Sequence, residues 1–560
     1  MTVKTYGPLN LTFKDREDWM LPTVLKRQAR VHGDKVLFRE GEGRKRQWTY
    51  CETLAIANRI GNALVRRGYR KGDRLAIMMK NCPEYIFTWF GAMSAGVVEV
   101  PIHPDYTGYF LEHVVNLVAP VGMVVDPEAV DPILASCSSL PPGLEFFVVG
   151  DDRAGTEAIA KLRTAGWAAE SFETLMSGDD GDVAVDVRYT DLALILSTSG
   201  TTGPSKGVMM SHAQLYFFSE QTKLLVQLRE NDVYKLSFPM NHANARVMTA
   251  FPSIIAGASF VIFDKFSPSR FIERVQQHGI TVANLLGLMM AWIMQQPSVP
   301  GEKDNPLRCV MSAPTPFQLG REFRERFGVD DTVEGFGQTE ISIPMLSPCG
   351  LSRPEGAAGL LCEEWFDVRI ADPETDEEVE VGKVGELLVR PRSPWIINSG
   401  YWGMPEATAA SCRNLWFHTG DALRRDAEGW YYFVDRIKDT LRRRGENISS
   451  FEVEQALGRH PDVAECSVVA AASEYSGGED EILAVVVVTS EVSCEELAEW
   501  ARMNMPRFLV PRYWRIVAEL PRTPSAKVRK VELRKEGLAV GTYDAEKRQL
   551  SDGALKQVNL

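Results

Sequence analysis

The stretch Leu192-Ala-Leu-Ile-Leu-Ser197-Thr198-Ser199-Gly200-Thr201-Thr202-Gly203-Pro204-Ser205-Lys206-Gly207 decides how the chain folds. An unbroken apolar run of strand length opens it and reads as a buried strand. Hydroxyls and glycines then crowd the loop, and one lysine closes it. Glycine lets backbone N–H groups turn inward at positive φ, and Ser and Thr hydroxyls add donors around the same concavity. Such a loop suits an oligophosphate, with Lys206 as a point charge against it. Spacing excludes the common P-loop, which needs Gly-x4-Gly-Lys-Ser/Thr, because Lys206 stands between Ser205 and Gly207. The plainer alternative is a mobile Gly/Ser linker, which rarely leaves an apolar strand directly.

At 560 residues the chain exceeds the roughly 250–300 residues that one hydrophobic core serves, so at least two domains are expected. Hydrophobic residues at 45% and charged residues at 24% are ordinary for a soluble globular protein. A net charge of −13 argues against nonspecific nucleic-acid or anionic-membrane binding, so local groups must hold any phosphate. The nine cysteines are scattered and never spaced C-x-x-C, which suggests reduced thiols in a cytoplasmic protein. No apolar signal core opens the chain, and no run of about 18 apolar residues predicts a transmembrane segment.

Outward from the loop, helix and strand signals alternate. Thr49-Tyr-Cys-Glu52 is a capping box ahead of a helical face of Leu54, Ala57, Ile60, Ala63 and Leu64. Strands fit 75–79, 97–100 and 123–125, with helices over 83–93 and 109–117. Repeated βα units imply a parallel sheet with helices on both faces. Residues 150–190, polar and rich in Gly and Asp, read as an exposed excursion. Beyond the loop, strands fit 234–238, 259–263 and 280–283, and helices fit 213–225, 268–278 and 288–296. Short strands and acidic loops over 359–434 suggest a small β-subdomain capping the α/β body. The basic segment from Asp435 to Gly445 then leads into a compact α+β unit. The expected layout is an N-terminal domain over 1–434, a hinge at 435–439, a C-terminal lid over 440–537 and a tail over 538–560.

Three further stretches carry chemistry. In Val333-Glu334-Gly335-Phe336-Gly337-Gln338-Thr339-Glu340, an aromatic between glycines can lie flat against a planar base. Glu340 adds a hard carboxylate suited to Mg²⁺. A strand-end turn explains the same residues. In Trp416-Phe417-His418-Thr419-Gly420-Asp421, the Asp can accept from both ribose hydroxyls or be an ordinary turn residue. Pro521-Arg-Thr-Pro-Ser-Ala-Lys527 is a Pro-stiffened loop presenting one lysine, which alone reads as a solvated surface group.

Taken in order, STSGTTGPSKG, FGQTE, HTGD, DRIKD…RRRGEN and PRTPSAK resemble the acyl-adenylate-forming superfamily. That superfamily comprises acyl-CoA synthetases, luciferases and nonribosomal-peptide adenylation domains. The resemblance covers nearly the whole chain. It implies an α/β fold, with a large N-terminal domain of stacked α/β subdomains and a β-subdomain. A small mobile α+β C-terminal lid would rotate between two half-reactions.

By the same resemblance, Ser197, Thr198, Ser199, Gly200, Thr201, Thr202 and Lys206 would wrap the β- and γ-phosphates of ATP. Ala313, Pro314 and Thr315 would hold adenine together with Glu334, Gly335, Phe336, Gly337, Gln338 and Thr339, Phe336 stacking on it. Asp421 would bind the ribose, Arg436 the ribose and a nearby phosphate, and Glu340 the Mg²⁺. Lys527 would bridge the acid and the α-phosphate, with His242, Thr339 and Glu340 completing the catalytic group. Lys438 would sit at the hinge, and the Gly445 loop would line a tunnel for the thiol of coenzyme A. The implied reaction ligates a carboxylic acid to CoA: acyl-AMP and pyrophosphate form first, then the thiol displaces AMP. Neither step needs a covalent enzyme nucleophile; both need anions brought together and their charge offset.

Pro239-Met-Asn-His242-Ala-Asn-Ala-Arg246 falls where the resemblance puts the entrance to the acyl pocket. Amino-acid-activating relatives carry an Asp in place of His242, so amino acids are disfavoured. His242 is expected to orient the carboxylate or gate the pocket; a packed core histidine is the alternative. Arg246 speaks against a cationic acid, and the apolar, Met-rich run 284–294 suits an irregular ligand. An apolar or bulky organic acid is therefore expected. Among subgroups the chain looks nearest to the carnitine/crotonobetaine-type CoA ligases. It departs from the usual patterns at Met311-Ser-Ala-Pro-Thr-Pro, at Asn241 and at Ala526, none of which removes a charged group.

Two other readings stay open. An acyl-AMP ligase would load a carrier protein's phosphopantetheine instead of free CoA. A non-catalytic nucleotide-binding protein is disfavoured by the presence of both Glu340 and Lys527. A small acid and CoA are the expected partners, without nucleic acid, and the sequence leaves room for a homodimer.

Overall fold

The computed structural model describes residues 4–136, 140–150, 152–198, 206–313, 315, 317–437, 441–443, 446–448, 450–472, 480–505, 509–523, 527–547 and 549–550. Among them lie sheets of 13, seven and five strands and one two-stranded ribbon. The apolar run at the head of the loop is the strand Leu192–Thr198 in the seven-stranded sheet. Parallel pairing runs from Ala168–Ser171 through Glu145–Val148, Gly122–Val125, Arg74–Met78 and Val98–Pro101 to this strand. The edge strand Lys206–Ser211 returns antiparallel, so the two strands that flank the phosphate-type loop in sequence are hydrogen-bonded neighbours. The predicted capping box starts the helix Tyr50–Arg66: Glu52 N donates to Thr49 Oγ1, and Thr49 N donates to Glu52 Oε2.

Residues 150–190 are not an excursion throughout. Arg153–Thr164 is a helix capped by Asp152, and Ala168–Ser171 is the far edge strand of the sheet. The polar composition reflects an edge position, where Ala158 and Leu162 are buried and the outer face meets solvent.

In the 13-stranded sheet, Val36–Glu40, Ser259–Ile262, Val233–Leu236, Val282–Leu285 and Cys309–Ser312 run parallel. The strand Asp331–Gln338 changes pairing along its length. Its first residues pair parallel with Cys309–Ser312, and residues from Glu334 onward pair antiparallel with Ser342–Ser347. The expected β-subdomain is joined to the parallel sheet through this one strand. Its strands Gly359–Leu361, Trp430–Arg436, Phe417–Arg425, Val384–Pro391 and Phe366–Ala371 continue the same hydrogen-bonded array.

One apolar core joins the two large sheets, from Leu75 and Ile77 through Phe87, Trp89 and Phe217 to Tyr234, Met311 and Phe336. The helix His212–Leu225 lies in this core and is buried almost all round. Two of its glutamines reach across to neighbouring backbone, although His212 Nδ1, Gln214 Oε1 and Glu220 Oε2 stay buried without a partner. Gln221 makes hydrogen bonds to both N and O of Ile343, and Gln214 Nε2 donates to Thr339 O at 2.8 Å.

The C-terminal unit orders Val463–Ala472, Asp480–Val488, Tyr513–Ile516, Tyr543–Asp544 and Gln549–Leu550 in one sheet. The expected tail from 538 is thus corrected: residues 543–550 complete the sheet, and Arg512 holds Asp544 at 2.9 Å. Among the described residues the cysteines are unbridged, and no helix is long and apolar enough to cross a membrane.

Candidate active site

Parallel strands bring their carboxyl ends to one edge. Register sets Lys235 beside Ala283, Asn284 beside Met311, and Met311 beside Val333. The segments that follow, with His242, Leu286, Ala313, Thr315 and Phe336 to Glu340, therefore leave the sheets at this same edge. Open α/β sheets bind ligands at this edge. Ser197 lies opposite Gly207, and Thr198 opposite Lys206. Ser199, Gly200, Thr201, Thr202, Pro314, Lys438 and Gly445 lie outside the described residues.

Residues 399–402 run along Lys206–Ser211, with Met209 N donating to Gly400 O, Ser399 N to Met209 O and Trp402 N to Gly207 O. That register sets the ring of Tyr401 4.6 Å from Lys206 Nζ, a cation–π contact. The same phenol donates to Glu340 Oε1 at 3.2 Å, linking the end of the phosphate-type loop to the acidic residue of the second motif. Among the described residues no cluster of three metal-ligating side chains occurs. One carboxylate fits Mg²⁺, which shares its shell with phosphate oxygens, better than a cation caged by protein.

Asp421 is 2% exposed. Gln338 Nε2 donates to its Oδ2 at 2.6 Å, and Arg436 Nε stands 2.7 Å from its Oδ1 without hydrogen-bond alignment. Burial pushes this carboxyl up to about 6, against the lowering effect of Arg436 and Gln338. Glu386 holds the turn before it, accepting from Gly420 N at 2.9 Å and lying 3.0 Å from His418 Nδ1.

Lys527 arrives from the C-terminal unit. Thr523 N donates to Lys527 O and Lys527 N to Thr523 Oγ1, closing its loop. Burial, then the Arg436 charge, pushes the ammonium down from its ordinary value, while Asp421 and Glu340 pull it up. His242 is pushed down to about 4 by burial and by the charge of Lys527. Both side chains keep solvent contact although protein surrounds them densely, as groups standing in an open cleft do. His242 Nδ1 accepts from Asn244 N, which leaves the neutral ring's proton on Nε2.

One sequence expectation changes. Arg246 does not face the acyl entrance; it is fully buried, doubly paired with Glu99, bonded to Tyr85 OH at 2.7 Å and packed against Trp89. An uncompensated guanidinium cannot be buried, so the acid beside it takes the charge out of the pocket's reach. The carboxylate of Glu334 is held by Arg353 at 2.9 Å and pushed up to about 7 by burial. Phe336 lies nearly parallel to Phe433 at 6.2 Å, and Thr315 Oγ1 is buried without a partner. Tyr401, Gln214 and Glu386 were not legible as site residues. Of the three, only Tyr401 carries a local signal, the Gly400-Tyr401-Trp402 stretch.

The AMP-binding enzyme family model matches residues 25–402, and the AMP-binding enzyme C-terminal domain matches 452–527. Crotonobetaine/carnitine–CoA ligase of Salmonella typhimurium is 30% identical over 519 residues, covering 90% of this chain and 97% of that protein. The solved structure of ATP-bound MatB from Rhodopseudomonas palustris superposes with a TM-score of 0.79 at 26% identity, covering 92% of this chain and 98% of that one. A benzoate CoA ligase from Burkholderia xenovorans shares the fold at TM-score 0.79 and 23% identity, covering 92% and 99%. The chain belongs to the AMP-binding enzyme family and, within it, to the acyl-CoA synthetases.

Proposed function

We propose that the chain joins a bulky, largely apolar carboxylic acid to coenzyme A in two steps at one cleft. In the first, the acid's carboxylate attacks the α-phosphate of ATP and pyrophosphate leaves. In the second, the CoA thiolate attacks the acyl carbon and AMP leaves. A single observation supports this reading above the others: Lys527, from the C-terminal unit, acts electrostatically on His242 and is acted on by Asp421, Arg436 and Glu340. Two anions must meet in the first step, and a cation between them lowers the barrier more than any nucleophile would.

Each group has a position to match its task. Lys206, with its ring neighbour Tyr401, takes the terminal phosphates with the Ser/Thr/Gly turn. Glu340 would hold Mg²⁺, which supplies charge neutralisation on the leaving pyrophosphate. Asp421, whose Oδ1 lacks an aligned donor, accepts from the ribose hydroxyls. His242, neutral near pH 7, can donate from Nε2 to a carboxylate oxygen. Residues 435–439 serve as the hinge, with 440–550 as the unit that swings and a cytoplasmic site of action. The test is pyrophosphate release with ATP and Mg²⁺ across fatty, aromatic and betaine acids, with and without free CoA. Release with CoA-dependent AMP formation supports the reading. Release that ignores CoA points to a carrier-bound thiol, and no release from any acid overturns it.

A further inference from the structure

Beside His242 the chain buries an amide network with one donor left over. Asn284 lies in the strand Val282–Leu285, and its amide is fully engaged. Its Oδ1 accepts from Tyr234 OH at 2.6 Å; its Nδ2 lies 2.9 Å from both Asn244 Oδ1 and Met248 O, and 3.1 Å from Thr249 Oγ1. These contacts fix the orientation of Asn244: its oxygen faces Asn284, so its Nδ2 faces the other way. Asn244 is 8% exposed, and its Nδ2 donates to none of the described residues. Its backbone is already satisfied, N by His242 Nδ1 and O by Thr249 Oγ1.

Nδ2 is not sealed from solvent, in contrast to the buried, unpartnered Thr315 Oγ1, so it is an oriented donor open to a ligand. The fold keeps the amide and locks it. Residues Arg246–Ala250 form a π-helical turn, a feature concentrated at functional sites. Met248 and residues 286–289 stay partly open.

We propose that Asn244 is a specificity-determining residue whose Nδ2 donates to a neutral acceptor oxygen, a carbonyl or hydroxyl, carried by the acid beyond its reacting carboxylate. The substrate class is then an oxygen-bearing acid, neither a plain hydrocarbon acid nor a trimethylammonium acid. A quaternary ammonium wants ring faces or an unpaired carboxylate, whereas Asn244 offers it the positive end of an N–H bond and Glu99 is already taken by Arg246. This inference rests on the acid–CoA ligase reading above.

The experiment measures pyrophosphate release for matched acids: keto and hydroxy acids with the oxygen at successive carbons, each against the saturated acid of equal length. It uses the wild-type enzyme, Asn244→Leu and Asn244→Thr. The expected result is a wild-type preference of about tenfold or more in kcat/KM for one oxygenated member, since a hydrogen bond in a buried site discriminates on that scale. In Asn244→Leu that ratio falls to within about threefold of unity, and Asn244→Thr, which keeps a donor, lies between. A wild-type enzyme that turns over acids without any such preference, or a preference unchanged in both variants, overturns the proposal. The wild-type ratio decides even if Asn244→Leu fails to fold. Absence of release from every acid would sink the ligase reading itself, which is a separate outcome.

Discussion

Asp421 sets stability against binding. Its folded carboxyl sits at about 6, above the ordinary 3.8, because burial outweighs Arg436 and Gln338. The folded chain therefore holds a proton that the unfolded chain releases between these values. The associated stability is present below pH 3.8, is lost as pH rises through about 6 and stays lost above it. Two pH units correspond to at most roughly 3 kcal/mol. Asp421→Asn should therefore raise the denaturation midpoint more at about pH 8 than at about pH 4, while raising KM for ATP; equal gains at both pH values would contradict this. Tyr401→Phe removes the donor to Glu340 and should raise KM for ATP–Mg²⁺ roughly tenfold, about 1.4 kcal/mol, with little change in KM for the acid. Lys206 and Glu340 were picked out as candidates by their residue type within the motifs. The role of Tyr401 was not, because it depends on a strand lying beside another far away in sequence. Arg246 was misread for the same reason: its partner Glu99 is 147 positions away.

At the scale of elements, the strand Asp331–Gln338 matters most because it carries both the sheet's change of direction and the FGQTE residues. Gly337 permits the crossing, since a Cβ there would lie 2.1 Å from Ser342 O. Gly337→Ala should destabilise the protein by about 1–3 kcal/mol and depress adenylation beyond what the lost stability explains. Denaturant titration beside pyrophosphate release measures both; a variant with wild-type midpoint and rate would refute the role. Strands and helices with strong apolar periodicity were legible to within a few residues, as at Pro83–Ser94 and Ser259–Ile262. The edge elements Arg153–Thr164 and Ala168–Ser171 were not, because half-covered pieces carry the composition of a loop.

Across the whole molecule, the joint between the two units is specific. Asp435, in the strand Trp430–Arg436, accepts from Ser450 N and Ser450 Oγ, each at 2.6 Å, at the start of the helix Ser450–Leu457. Near this residue the sequence changes from short strands to a basic, Gly-punctuated run. The continuity of the β-subdomain with the parallel sheet was not legible, since pairing between distant strands leaves no local trace. The central claim is that a lysine from the smaller unit enters the larger unit's cleft to serve one half-reaction. The most direct measurement is Lys527→Ala assayed in two parts: acid-dependent ATP–pyrophosphate exchange, and thioester formation from supplied acyl-AMP and CoA. The account predicts that exchange falls by roughly 10²–10³ or more while thioester formation persists; an equal loss in both would contradict it.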